Sequence, residues 1–246
     1  MSTQNAVEVK DLRKNYKNVE VLKGVSFSIP KGSIYALLGA NGAGKTTTVS
    51  ILATLTRADS GTATVAGIDI SKNPAKAREH ISLTGQFAAV DELLTGRENL
   101  EMIGNLYQLK KNIVASRATL LLNRFGLTEA ASRRASTYSG GMRRKLDLAI
   151  SLIANPAIIF LDEPTTGLDP RSRRELWEIV KGLAKDGATI LLTTQYLDEA
   201  DQLADKVAVL HNGVIVAEDT PAKLKEGAGA ATLDDVFMKL TRSEEE

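Results

Sequence analysis

Ile34-Tyr35-Ala36-Leu37-Leu38-Gly39-Ala40-Asn41-Gly42-Ala43-Gly44-Lys45-Thr46-Thr47 passes from an unbroken apolar run into a glycine-rich loop and then a Thr-rich helical start. The uncharged run suits a strand buried on both faces of a parallel sheet. The loop fits G-x-x-x-x-G-K-[ST] and sits where that pattern has a mechanism, after a buried strand and at the opening of a helix. Glycines let backbone N–H groups turn inward around phosphate oxygens. The helix N-terminus adds partial positive charge. Lys45 is placed to reach β- and γ-phosphates, and the Thr46 hydroxyl to ligate Mg²⁺. A chance lysine in a glycine-rich turn would lack this setting. The predicted nucleotide contacts are Gly39, Ala40, Asn41, Gly42, Ala43, Gly44, Lys45, Thr46 and Thr47.

The second half of such a site is an acid at the end of a neighbouring strand. Ile158-Ile159-Phe160-Leu161-Asp162-Glu163 supplies it. Asp162 fits the Mg²⁺ role. Glu163 points elsewhere and is suited to orient the attacking water or take its proton. Taken alone, Asp-Glu-Pro is equally the form of a strand end capping a loop.

Composition sets the outer bounds. At ~150 residues per domain, 246 residues make one domain or one core with a subdomain. The 31 basic and 30 acidic side chains leave a net charge of +1, without the basic footprint of a dedicated nucleic-acid binder. With no cysteine there is no disulfide framework, zinc ribbon or thiol nucleophile. No segment approaches the ~18 apolar residues of a spanning helix. The first fourteen residues lack the apolar region of a signal peptide. These features point to a soluble, cytoplasmic chain that reaches a membrane through a partner.

Along the chain, apolar runs alternate with charged periodic ones, the pattern of an α/β protein. Val7 to Val9 and Val19 to Ile29 read as strands, Thr62 to Ala66 as a short strand after a turn. From 87 to 153, leucines recur at helical spacing, as in Leu100, Met102, Ile103, Leu106 and Leu120 to Phe125. This stretch is read as an inserted helical subdomain. Residues 1–86 and 154–226 are then the α/β core with a β subdomain. Ala157 to Leu161 and Ala188 to Thr193 are predicted buried strands, 171–185 a helix. Val207 to Leu210 and Val214 to Val216 form a hairpin through Asn212-Gly213. Residues 227–246 are a small-residue linker and a last short helix, Thr232 to Leu240, with a frayed acidic tail.

Taken in order, these motifs resemble the ATP-binding subunits of ABC transporters over nearly the whole chain. Tyr138-Ser139-Gly140-Gly141-Met142 is similar to the signature motif, although Ser-Gly-Gly alone would also serve as a helix-capping turn. Gln86 stands where the family has its Q-loop glutamine, Gly167-Leu168-Asp169 resembles the D-loop, and Tyr16 lies where the family stacks an aromatic on adenine. Leu94-Thr95-Gly96-Arg97-Glu98-Asn99-Leu100, the Tyr-Ser-Gly-Gly-Met variant and Leu233-Asp234-Asp235-Val236-Phe237 resemble one branch. That branch is the daunorubicin/doxorubicin-resistance type, serving separate permeases of ABC-2 exporters.

The resemblance implies a P-loop NTPase fold with a RecA-like core, an N-terminal antiparallel β subdomain and an inserted α-helical subdomain. It implies ATP and Mg²⁺ as cofactors, with Thr46, Gln86 and Asp162 at the metal. ATP would also meet Tyr16, Gln86, Ser139, Gly140, Gly141 and Asp169. Lys45, Glu163 and Gln195 would serve hydrolysis. The family's switch histidine is missing: the strand ending Thr193-Thr194 leads into Gln195, and the only histidines are His80 and His211. Glutamine can hydrogen-bond phosphate or water but cannot become cationic.

Two such chains would pair head-to-tail, each ATP held between the P-loop of one and the signature of the other. A homodimer is the default. A multi-span permease would be the second partner, with no nucleic acid, at the cytoplasmic face of the plasma membrane. Phe87, Leu93 and Leu94 read either as a docking groove for that permease or as plain core. Arg133-Arg134 and Arg143-Arg144-Lys145 read as solvated helix faces, or as help with phosphate or anionic lipid. Two other functions fit the motifs less well: a soluble ATPase of an assembly machine, and an ATP-gated binding module without useful turnover.

Overall fold

The computed structural model describes residues 4–85 and 89–242. Two long strands open the chain, β1 (Asn5–Tyr16) and β2 (Val19–Pro30), paired antiparallel. Val25, Phe27 and Ile29 of β2 are buried while Ser26 is exposed, the period-two alternation of a sheet with one dry face. β3 (Ile34–Leu38) leads into α1 (Lys45–Leu52), then β4 (Ser60–Val65), β5 (Ile68–Asp69), α2 (Pro74–Arg78) and β6 (Ile81–Thr84). Three helices follow: α3 (Gly96–Leu106), α4 (Lys111–Arg124) and α5 (Gly140–Ser151). Next come β7 (Ile158–Asp162), α6 (Pro170–Lys185), β8 (Thr189–Thr194) and α7 (Leu197–Leu203). Last are β9 (Lys206–His211), β10 (Val214–Asp219), α8 (Pro221–Gly227) and α9 (Leu233–Arg242).

The strands form two sheets. One runs β2-β1-β4-β5 and is antiparallel throughout. The other runs β10-β9-β3-β8-β7-β6. It is parallel except for β10, which returns antiparallel on β9 through Asn212-Gly213, both at positive φ as a tight hairpin requires.

The parallel sheet divides two cores. Ile34, Ala36, Leu38, Ile159, Leu161, Ile190, Leu192, Val207 and Val209 face the helices. Tyr35, Leu37, Ile158, Phe160, Leu191, Ala208 and Leu210 face the antiparallel sheet. Strands dry on both faces explain why these runs are apolar without alternation. Phe27 of one sheet stacks on Tyr35 of the other, ring centroids 5.1 Å apart, which ties the layers together.

Helix ends follow local chemistry. Thr95 and Glu98 make a reciprocal capping box on α3, Asp169 and Pro170 start α6, and Thr220 caps α8 ahead of Pro221. β1 extends well beyond the predicted Val7–Val9, through a register shift in which Asp11 takes a φ of 47°. β6, α7 and α8 went unpredicted. β6 is Ile-Ser-Leu-Thr at the sheet edge, too short and mixed to signal itself, and the two helices have seven residues each. Among the described residues no helix is long and apolar enough to cross a membrane.

Phe160 lies at the centre of β7 with no exposed surface. Phe160→Ala should cost about 3–5 kcal/mol of unfolding free energy in urea titration. A loss under about 1 kcal/mol would contradict this packing.

Candidate nucleotide site

Where the parallel strands end, register places the site. Leu38, the last residue of β3, pairs with Thr194 of β8 and Val209 of β9, and Asp162 of β7 pairs with Thr193. The carboxyl ends of three adjacent strands therefore meet at one edge, where open α/β sheets bind ligands. Gly39 continues the ladder by donating its N–H to the Thr194 carbonyl at 3.3 Å. A Cβ at Gly39 would stand 2.4 Å from the Leu210 carbonyl oxygen, so the close approach admits only glycine. Gly42 and Gly44 hold φ of 83° and 108°, turning the loop through left-handed conformations. Gly44 enters α1 without a side-chain cap. The first N–H groups of α1 thus have no competing side chain where an anion would sit. Ala40, Asn41, Gly42 and Thr46 line the exposed rim of the turn, Thr47 is half-buried, and Ala43 and Lys45 are buried.

The charged groups of the cradle engage each other. Lys45 Nζ donates to the carbonyls of Gly39 at 2.9 Å and Ala40 at 3.1 Å, and stands 3.4 Å from Glu163 Oε1. Asp162 Oδ1 accepts from the Thr46 hydroxyl at 3.2 Å and the Thr193 hydroxyl at 2.5 Å. Thr46 and Asp162 together offer hard oxygen donors of the kind Mg²⁺ takes alongside substrate phosphates. Glu163 leaves the strand at a φ of 49°, unusual for a residue with a side chain. Its N–H is held by the Thr193 carbonyl and hydroxyl, each at 3.1 Å. That turn sends the Glu163 and Asp162 side chains in different directions from adjacent positions.

The remaining predicted residues lie on other elements: the starts of α5 and α6, the turn after β8 and the end of β1. Ser139 caps α5, its hydroxyl oxygen accepting from the Met142 N–H at 3.2 Å. Gly140 is exposed, and a Cβ on Gly141 would come within 2.4 Å of the Ser172 hydroxyl of α6. The starts of α5 and α6 are therefore packed together. Asp169 accepts from the Ser172 hydroxyl at 2.6 Å and from the N–H groups of Ser172 and Arg171 at 3.0 Å. The Ser172 hydrogen bonds foremost hold its carboxyl below the usual range. Gln195 is half-buried one residue beyond Thr194. Tyr16 ends β1 partly exposed, its ring 5.3 Å below the Lys14 ammonium. Gln86 and Phe87 lie outside the described residues. Leu93 is exposed rather than core, and Leu94 is half-buried.

One reading needs correction. Arg144 is not on a solvated helix face: its side chain is only 13% exposed and paired with Asp147. The triplet Arg143-Arg144-Lys145 hides this, since Arg143 reaches the exposed Glu92 and Lys145 reaches Glu175. The Arg144 guanidinium instead turns to the end of β7. Thr193 and Glu199 also escaped sequence reasoning. Glu199 of α7 is fully buried beside the Gln195 turn, accepting from Trp177 Nε1 at 3.1 Å. Burial pushes its carboxyl pKa up, and the nearby Thr194, Trp177 and Thr165 act against that rise without cancelling it.

Comparison with known proteins fits this geometry. Residues 22–166 match the family model described as ABC transporter. The chain is 53% identical over 234 residues to a daunorubicin resistance ATP-binding protein of Streptomyces coeruleorubidus, covering 95% of this chain and 73% of that one. A solved structure described as an ATP-binding subunit of an ABC transporter superposes with a TM-score of 0.85 at 31% identity, covering 96% of this chain and 99% of that one. A dimeric ATP-binding cassette, solved in a post-hydrolysis state with ADP and phosphate, gives 0.77 at 26% identity, covering 87% and 98%.

Glu199 sets a pH dependence. Its folded pKa lies above the ordinary 4.5, so its stabilising contribution is full below 4.5 and lost as pH rises through the folded pKa. Glu199→Gln keeps an acceptor for Trp177 and should flatten the fall in urea midpoint as pH rises from 4.5. An unchanged slope in the variant would show that Glu199 does not titrate with folding.

Proposed function

The chain belongs to the ABC transporter family as an ATP-binding subunit, and we propose that it works as a homodimer that hydrolyses ATP to drive export through a separate membrane permease. The observation that carries this reading is the set Lys45, Thr46, Asp162 and Glu163. Four groups of the right chemistry meet in two pairs between the start of α1 and the end of β7: Thr46 bonds Asp162, and Lys45 stands within ion-pair reach of Glu163.

In this reading the triphosphate lies along Gly39 to Thr47. Phosphate oxygens accept from the N–H groups of the loop and the first turn of α1. They draw Lys45 Nζ away from the Gly39 and Ala40 carbonyls and from Glu163. Once released, Glu163 accepts a proton from the water that attacks the γ-phosphorus. A new P–O bond forms as the bond to the β-phosphate oxygen breaks, leaving ADP and phosphate. Thr46 and Asp162 would hold Mg²⁺, with Gln86, and the ion would offset charge on the β- and γ-phosphates. Gln195 would hydrogen-bond the γ-phosphate or the water, and Tyr16 would cover the base.

Ser139 and Gly140 are exposed and Gly141 is buried behind them, so the start of α5 offers a hydroxyl and helix-end N–H groups. These donors would serve the ATP of the second subunit, as Asp169 would beside them. ATP then joins the two subunits and its hydrolysis releases them, a two-state switch biased by the γ-phosphate. In the same reading residues 87–153 are the helical subdomain carrying the signature, and 227–246 an appended linker and helix. The name of the Streptomyces relative, a daunorubicin resistance protein, supports a drug or antibiotic as the exported class; work with a membrane permease would place the chain at the cytoplasmic membrane face. That name also speaks against a soluble assembly machine.

Two measurements test this. Glu163→Gln should lower ATP turnover by at least about 100-fold while ATP binding stays within a few-fold of the parent. Turnover equal to the parent would remove Glu163 as the proton acceptor. An affinity pull-down of the chain from detergent-solubilised native membranes should recover a multi-span protein. Recovery of soluble partners alone, with the chain absent from the membrane fraction, would sink the transporter reading.

A further inference from the structure

We propose that Arg144 is a positioning residue for hydrolysis, which holds the backbone that aims Glu163 from within the helix that begins with Ser139. This inference rests on Glu163 being the proton acceptor, as argued above.

Every nitrogen of the Arg144 guanidinium is committed. Nε donates to the Pro164 carbonyl at 2.7 Å, and Nη1 donates to the Gly85 carbonyl at 2.8 Å and to Asp147 Oδ2 at 3.1 Å. Nη2 reaches the Glu163 carbonyl at 3.4 Å and the Asp162 carbonyl at 3.5 Å. The targets are three consecutive residues at the end of β7 and one residue just past β6. Asp147, one turn further along α5, accepts from the Ala89 N–H at 2.8 Å. The two side chains of α5 thus anchor Gly85 and Ala89, on either side of residues 86–88, as well as the Asp162-Glu163-Pro164 turn.

Glu163 is gripped from both sides. Thr193 holds its N–H and Arg144 its carbonyl, and between them the residue keeps the left-handed φ that aims its carboxylate toward Lys45. Such a conformation persists in a residue with a side chain only where the surroundings over-determine it. A guanidinium suits this task because its donors lie in one rigid plane and reach several carbonyls at once. An ammonium is a single point. The arrangement is also costly to bury. Desolvation lowers the Arg144 pKa and raises that of Asp147, the cost offset in part by their mutual attraction. A purely structural contact between α5 and β7 would need no buried charge.

The test uses the purified full chain, with steady-state ATPase kinetics and equilibrium ATP binding on each variant. Arg144→Ala should lower kcat at least tenfold, with KM and ATP binding within twofold of the parent. Added guanidinium at non-denaturing millimolar concentration should recover part of that kcat in Arg144→Ala and none in Glu163→Gln. Arg144→Lys, which keeps the charge should the alanine variant fail to fold, should show an intermediate kcat. A kcat within twofold of the parent in Arg144→Lys and in folded Arg144→Ala would overturn the proposal. So would a kcat loss matched by an equal loss of ATP binding and unmoved by guanidinium. Glu163→Gln, run in parallel, separates the two ideas. Full turnover there removes the proton-acceptor reading itself, whereas an inactive Glu163→Gln beside a normal Arg144→Ala removes only the role given to Arg144.

Discussion

Asp162 Oδ1 accepts two threonine hydroxyls, one from the start of α1 and one from the end of β8. The geometry of the site depends on that junction. It is possible only because β7, β8 and β3 lie side by side in parallel and in a register that ends all three at the same edge. A slip of one residue in β7 would turn Asp162 to the opposite face of the sheet and put an apolar side chain beside Thr46. The dryness of both faces resists such a slip, because every residue of β3 and β7 is buried. Packing, rather than any ligand, therefore sets where the acid stands.

Charge buried beside that edge forms a second layer. Arg144 and Asp147 in α5, and Glu199 in α7, are all shielded from water, and none lies in a loop. Each is expensive to desolvate and each has named hydrogen-bond partners. Arg144 and Asp147 key α5 to the ends of β6 and β7 and the neighbouring turn, while Glu199 ties α7 to Trp177 of α6. The same helices also supply apolar core: Leu146, Leu148, Ala149 and Ala200 are buried in the cluster under the sheet. One helix thus serves both stability and the site.

Much of the site was legible in the chain because its chemistry is local. The glycines of the loop, Lys45, Thr46 and the Asp162-Glu163 pair are read from short patterns, and in each case the adjoining strand or helix forms where the pattern demands. The hairpin at Asn212-Gly213 was equally plain, since two positive φ values need those residues. Arg144 was misread for a physical reason. Three consecutive basic residues look alike in sequence, yet on a helix they point in three directions about 100° apart. Only the packing partner distinguishes the one that is buried.

Local order in the sequence determined the elements and the chemistry available at their ends, because glycine geometry, apolar runs and capping residues act over a few neighbours. The tertiary structure alone decided which of those ends meet. Thr46 and Asp162 stand 116 positions apart along the chain, and Arg144 and Gly85 stand 59 apart. Their contacts arise from the strand order β3-β8-β7-β6 and its register. That order minimises exposed apolar surface across the whole sheet, a sum over many residues that no short window of sequence contains.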